Sequence, residues 1–343
     1  MNKITGKLLK ELSYRTGKYL IPPEFLSLII TMRCNFKCLS CSIWQKEIGL
    51  ELNREEWKKI IAQLTGSLKS TAFVEINGGE PLIRKDLTIF LIKELKKYFQ
   101  KVALNSNGLL LDEKTLSELQ VAGLDVIKIS FYSLNKEIHN NLRGHALAFE
   151  QAKKAITLIN QKNIALEIGL LITAQNIKEA PELIKYLQTL PNTSIILQPL
   201  DEKVESMESK NQTVNRLPTA LWPGKEDANV FFSWIMSNNQ KIKNSLANIE
   251  AIRQYYLNPE NILQYRCFAG QRNLVVYPDG SVALCFKGGV IGNLVKQELK
   301  DVLKKATAER KKIKKCRKYC RIIGCNFSRG LKEALRDKFF KVK

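Results

Sequence analysis

Histidine is nearly absent from this chain: 343 residues contain only His139 and His145. A local zinc site of the mixed Cys–His kind needs histidine beside its cysteines. The first cysteines lie about a hundred positions upstream of both, which excludes such a site there. Long apolar runs are missing too, since none reaches the eighteen or so residues that cross a bilayer. The opening residues, M-N-K-I-T-G-K-L-L-K-E-L, carry charge where a secretory signal would be apolar. These absences point to a soluble, cytoplasmic protein, in which eight cysteines argue for metal and against disulfides. Acidic residues are scarce, 33 against 55 Lys and Arg, for a net charge of +22. Residues 301–343 hold 16 basic and 4 acidic side chains, a balance of +12. Such a tail attracts nucleic acid, anionic lipid or an acidic peptide. No aromatic stacking motif is interleaved with it, so nucleic acid is not the favoured partner. Hydrophobic content of 45% excludes global disorder, and the length suits one large domain plus a small one.

Strand-like and helix-like segments alternate over the first two hundred residues. Strands are expected at Leu26–Thr31, Ala72–Ile76, Val102–Asn105, Val126–Ser130, Ala165–Ile172 and Ile195–Gln198. Between them fall helices through Leu64, then Leu87–Tyr98, Glu113–Ala122, Phe149–Gln161 and Ala180–Thr189, the first opened by the capping pair Asn53 and Glu56. Six strands alternating with helices predict an α/β fold with a parallel sheet, its chemistry at the carboxyl ends of the strands. The stretch from Asp201 to Lys225 turns polar and irregular, and Ala228–Leu257 is expected to be helical and to bridge to a small cysteine-containing α+β module. The expected division is an N-terminal extension (1–22), a main domain (23–200), a linker with bridging helices (201–260) and a C-terminal module with a basic tail (261–343).

Cys34, Cys38 and Cys41 stand in T-M-R-C-N-F-K-C-L-S-C, directly after the first expected strand. A cubane iron–sulfur cluster has four irons and takes four cysteines when fully ligated. Three leave one iron open, and an open position separates a reactive site from a closed one. The C-x3-C-x2-C spacing resembles the signature of the radical S-adenosylmethionine (SAM) enzymes, over about Pro23 to Pro199. That resemblance implies an open (β/α)6 partial TIM barrel and a [4Fe–4S] cluster whose free iron is chelated by SAM. N-G-G-E-P after the second strand is similar to the family's GGE motif, which makes Gly78, Gly79 and Glu80 SAM ligands by resemblance. Asn107 and Ser130 close the third and fourth strands, where the family places polar groups against SAM. An Asx-turn role suits Asn107 equally well. Arg143, in N-L-R-G-H, offers a planar fork that could clamp the methionyl carboxylate. The family's aromatic residue before the third cysteine is replaced by Ser40, with Phe36 and Trp44 the nearby aromatic substitutes.

Five cysteines remain, Cys267, Cys285, Cys316, Cys320 and Cys325. Pro278-Asp279-Gly280-Ser281 is a hairpin turn that brings Cys267 and Cys285 together. The pattern resembles SPASM and twitch modules, which hold auxiliary iron–sulfur clusters, although C-x3-C-x4-C here replaces the usual C-x2-C-x5-C. Five ligands suit a single auxiliary [4Fe–4S] cluster, with a four-thiolate zinc site as the competing reading.

The resemblance implies reductive cleavage of SAM to a 5′-deoxyadenosyl radical that abstracts hydrogen from a peptide or small metabolite. The expected partners are a reductant such as flavodoxin or ferredoxin and that substrate. RNA modification is an alternative within the same chemistry. A non-catalytic iron–sulfur protein for electron transfer or redox sensing is the alternative of another class, though it would close its cluster with four cysteines and need no G-G-E-P.

Overall fold

Alternating apolar and polar positions in the strands set the architecture. The computed structural model describes residues 3–201, 219–324 and 326–327. Six strands, β1 (Phe25–Ile29), β2 (Phe73–Asn77), β3 (Lys101–Ser106), β4 (Val126–Ser130), β5 (Ala165–Leu171) and β6 (Thr193–Gln198), run parallel, each paired with the one before it. The order never reverses along these six, so right-handed crossovers set the connecting helices on one face, as in a partial barrel. That face carries Leu26, Leu28, Val74, Ile76, Val102, Leu104 and Ile127, all fully buried. The other face carries Ser27, Glu75, Asn77, Asn105, Lys128 and Glu167, matching the two-residue period of a strand.

The helices connecting the strands are α2 (Arg54–Ser67), α3 (Lys85–Lys96), α4 (Glu113–Val121), α6 (Ala148–Gln161), preceded by the short α5 (Lys136–Arg143), and α7 (Ala180–Thr189); α1 (Lys3–Thr16) precedes the sheet. Asn53 and Glu56 form the capping box expected at the start of α2. The bridging segment forms two helices, α8 (Lys225–Ser237) and α9 (Leu246–Leu257). The break carries Asn238, Asn239 and Asn244, poor helix formers, and Ser245 caps the second helix by accepting the Asn248 N–H. The broken chain lies along β6, where Ile195 and Ile242 form a parallel bridge.

The C-terminal hairpin joins the same sheet. β7 (Asn273–Val276) pairs parallel with β1, then β8 (Ser281–Ala283) and β9 (Val290–Asn293) follow antiparallel. β1 is therefore occupied on both sides and cannot close against β6. Helices α10 (Ala269–Arg272), α11 (Leu299–Lys305) and α12 (Thr307–Lys315) complete the module. The N-terminal helix α1 docks on this module: Tyr14 stacks on Phe268 at 4.7 Å, and Glu11 pairs with Arg266 at 3.0 Å.

Candidate cofactor sites

The loop bearing Cys34, Cys38 and Cys41 leaves the carboxyl end of β1 and is held from two sides. On one side the Gly79 N–H donates to Thr31 O (3.0 Å) and the Glu80 N–H to Arg33 O (2.8 Å). A methyl group on Gly79 would meet Arg33 O at 2.2 Å and Cys34 Cβ at 2.8 Å, so only glycine permits this approach. On the other side the Leu39 N–H donates to Leu142 O (3.1 Å), and a Cβ on Gly144, the left-handed C-cap of α5, would lie 2.0 Å from Lys37 O. Glu51 completes the frame, accepting from the Thr31 hydroxyl (2.5 Å) and the Arg33 guanidinium (2.6 Å).

Glu80 is fully buried between the ends of β2 and β3. Its carboxylate accepts from the Leu82 N–H (3.1 Å), the Ser106 hydroxyl (3.0 Å) and the Asn107 N–H (2.7 Å). Burial raises its pKa, and the three hydrogen bonds work in the opposite direction. Asn107 Oδ1 accepts from the Leu109 N–H (3.0 Å), an Asx turn, while its Nδ2 donates to Asn35 Oδ1 (2.6 Å) in the cysteine loop. Ser130 sits half-buried at the end of β4, opposite Gly169.

Arg143 is buried beside the thiols. Its guanidinium lies over the Phe36 ring (5.4 Å) and the Tyr132 ring (5.1 Å) and donates to the Tyr132 hydroxyl (3.1 Å). Among the described residues no carboxylate stands within ion-pair distance of it, while Cys34 and Cys38 act on it electrostatically. Glu80 also acts on it from beyond that distance, and a buried cation without a close counter-charge is costly. Thiolates bound to a cluster, or the carboxylate of SAM, would supply that charge. Phe36 is closed off, its other ring neighbour being His145 at 4.5 Å, whereas Trp44 is half-buried with its indole N–H on Cys38 O (3.3 Å).

A second group of cysteines gathers behind the hairpin. Cys267, Cys285, Cys316 and Cys320 act electrostatically on one another, so the fold brings these four together. Cys325 lies outside the described residues. Nearby, the Phe268 N–H donates to Asn326 O (3.3 Å) and Cys267 bridges to Phe327.

Both groups suit a metal cofactor built on thiolates. The sulfurs of Cys34, Cys41, Cys267, Cys285 and Cys316 each accept the N–H of the residue two positions on, at 3.5 Å for Cys34 and 3.3 Å for Cys285 and Cys316. Donors aimed at sulfur stabilise its negative form and tune a cluster's potential. Without metal, burial pushes the Cys34 and Cys267 thiols up to about 11 and Cys320 to about 12, so metal entry must displace their protons. Among the described residues no three Cys, His, Asp or Glu side chains stand close enough to share one ion.

Two cavities open between the cysteine loops. The smaller, about 260 Å³, is lined by Ser40, Cys41 and Ser42 from the first loop and by Phe286 and Lys287, just past Cys285, from the second. The larger, about 800 Å³, runs on between residues 45–52 and the hairpin. Motifs in the sequence mark the cysteines and G-G-E-P, but nothing in it marks Glu51 or Asn35 as holding the loop. Tyr132 was within reach, two residues past a strand end already singled out.

Family models match this geometry part by part. Residues 28–187 match the radical SAM superfamily, and residues 267–326 match SPASM, an iron–sulfur cluster-binding domain. A PqqA peptide cyclase of Granulibacter bethesdensis is 26% identical over 77% of this chain and 68% of its own length. An Fe-coproporphyrin III synthase of Methanosarcina barkeri is 29% identical over 46% of this chain, which spans only 39% of that protein. In fold, the chain is similar to Streptococcus suis SuiB bound to S-adenosylmethionine, with a TM-score of 0.66, 15% identity and coverage of 88% of this chain and 70% of that one. This chain therefore carries a radical SAM superfamily domain over residues 28–187 and a SPASM iron–sulfur cluster-binding domain over residues 267–326.

Proposed function

We propose that this protein is a radical SAM peptide-modifying enzyme, with the SAM-binding [4Fe–4S] cluster on Cys34, Cys38 and Cys41. A single auxiliary [4Fe–4S] cluster would sit on Cys267, Cys285 and two of Cys316, Cys320 and Cys325. The observation that carries the proposal is the pair of cysteine loops facing each other across one chamber. When bound and reduced, the first cluster supplies the electron that cleaves SAM and frees a 5′-deoxyadenosyl radical.

The chain's own residues supply position and shielding. Gly78 and Gly79 let the end of β2 pack directly on the Thr31–Cys34 backbone, and Glu80 holds that turn against β3, so the G-G-E-P turn and the cysteine loop would meet SAM as one fixed surface. Arg143 supplies positive charge beside the thiolates and within reach of a carboxylate. Ser130 and Asn107 stand at the neighbouring strand ends for polar contacts. The apolar walls of the chamber, Ile29, Met32, Tyr277 and Phe286, exclude water from the reacting carbon.

A peptide substrate is supported by the PqqA peptide cyclase relative and by the structural neighbour SuiB, which has also been captured with its precursor peptide SuiA. The groove of about 800 Å³ has room for an extended segment. No helix among the described residues is long and apolar enough to cross a membrane. The proposal places the enzyme in the cytoplasm, reduced by a flavodoxin or ferredoxin.

The test is 5′-deoxyadenosine release by anaerobically reconstituted protein given SAM and dithionite. Release is expected from the native chain and none from the Cys34/Cys38/Cys41→Ala variant. Equal release from both would overturn the assignment.

A further inference from the structure

Only four residues line both cavities, Met32, Ser42, Lys46 and Tyr277, and Lys46 alone among them is charged. It caps the short helix Ile43–Gln45 that follows Cys41. Its side chain is half-buried, and among the described residues no carboxylate lies within ion-pair distance. The other charged groups of the smaller cavity, Asp201 and Lys287, are paired with each other. In the larger cavity Glu51 is taken up by Thr31 and Arg33, Glu56 by the capping box and Asp279 by Ser281. Glu47 is exposed, and Lys296 adds a second positive charge at the hairpin side. Cys41 acts on the Lys46 ammonium electrostatically, but among the described residues no carboxylate pairs with it, and a half-buried ammonium so placed at the junction of two cavities favours an anionic group in the bound substrate.

The surroundings favour a peptide as its carrier. Leu50, Val290 and Val295, each about half or more exposed, line the larger cavity beside Lys46, an apolar margin that side chains of an extended chain would cover. β9 at this margin is an edge of the sheet and offers backbone groups to a strand laid along it.

We propose that Lys46 anchors a carboxylate of the peptide substrate and thereby sets which residue enters the chamber between the two cysteine loops. This rests on the peptide-modifying reading above. The carboxylate has two sources, an Asp or Glu side chain or the peptide's own C-terminus.

The test uses cluster-loaded native protein and the variants Lys46→Gln and Lys46→Glu, immobilised anaerobically in salt high enough to screen the net charge. Three pools of N-acetylated octapeptides are applied: Asp/Glu-containing and amidated, Asn/Gln-containing and amidated, and Asn/Gln-containing with a free C-terminus. Bound peptides are counted by mass spectrometry, and iron content confirms that each variant keeps its clusters. One carboxylate-bearing pool should be retained about tenfold better than the neutral pool by native protein, and this preference should vanish in Lys46→Gln. Which pool it is identifies the source. Peptides retained without preference, or a preference that survives Lys46→Gln, would overturn the anchor and leave the peptide reading standing. No retention of any pool would overturn the peptide reading, and the anchor with it.

Discussion

Gly79 and Gly144 grip the first cysteine loop from opposite sides, and neither position has room for a methyl group. Ala at Gly79 must displace the Arg33–Cys34 backbone, a strain of about 1–3 kcal/mol concentrated where the thiols stand. The expected outcome for Gly79→Ala is a folded protein whose first cluster assembles poorly: iron per chain falls and SAM affinity drops, while the hairpin module keeps its metal. Iron content and SAM affinity equal to the native protein's would refute this account of the glycine. The G-G-E-P and L-R-G motifs were visible in the sequence as chemistry. Their steric role was not, because the atoms their glycines must avoid lie some forty-five and a hundred residues earlier in the chain. His139 carries a second prediction. Its ring packs against Phe131 and Phe149, and Nδ1 accepts the Tyr132 N–H at 3.1 Å. Burial, then the neighbouring Arg143, pushes its pKa from 6.5 down to about 3. The folded state refuses a proton that the unfolded chain accepts, so the stability held above pH 6.5 is lost as pH falls toward 3, by up to about 1.4 kcal/mol per pH unit. Thermal midpoints measured from pH 7 to pH 4 should fall less steeply in His139→Leu than in the native protein, whatever the offset between them.

At the scale of the elements, the polar face of the sheet is tied together by charge. Lys128 on β4 reaches Glu75 on β2 (2.5 Å) and Glu167 on β5 (2.7 Å), and Lys243, from the segment between α8 and α9, reaches Glu167 at 2.5 Å. Burial opposes the charge on Lys128, but the two carboxylates outweigh it and its pKa is raised. Lys128→Met would leave the nearly buried Glu75 without a cation and Glu167 with Lys243 alone, and removing one partner from a buried pair typically costs about 3–5 kcal/mol. Thermal unfolding should show a marked drop in midpoint, partly restored in Lys128→Met/Glu75→Gln. A single variant as stable as the native protein would show the ladder to be inert. Glu75, Lys128 and Glu167 stand in strands legible in the sequence, whereas Lys243 comes from the segment between two helices. Their partnership was hidden because it depends on which strands become neighbours. The break between the two bridging helices has a readable signal, since Asn238, Asn239, Asn244 and Ser245 are residues that stop or start helices.

The whole molecule joins its two iron–sulfur modules through one sheet, with β7 of the C-terminal hairpin paired to β1, the strand that launches the first cysteine loop. The sequence showed both cysteine groups and the hairpin. It did not show this pairing, because the partners are about 250 residues apart and no short-range pattern records it. A rigid common sheet lets each cysteine group keep its own ligands while fixing the chamber between them, so loss of one metal site should not empty the other. In Cys267→Ala/Cys285→Ala the iron per chain should fall by roughly half, as expected if one of two four-iron clusters is lost. SAM binding and some 5′-deoxyadenosine release should persist, because Cys34, Cys38, Cys41 and Arg143 all lie on the other side of the chamber. Iron and zinc are measured together on native protein and variant. Zinc in the native protein that disappears with these two cysteines would make the second site a closed tetrahedral one and leave a single cluster in the enzyme. Iron halved without zinc would leave the auxiliary cluster facing the substrate chamber, where Phe286 and Lys287 already form its wall.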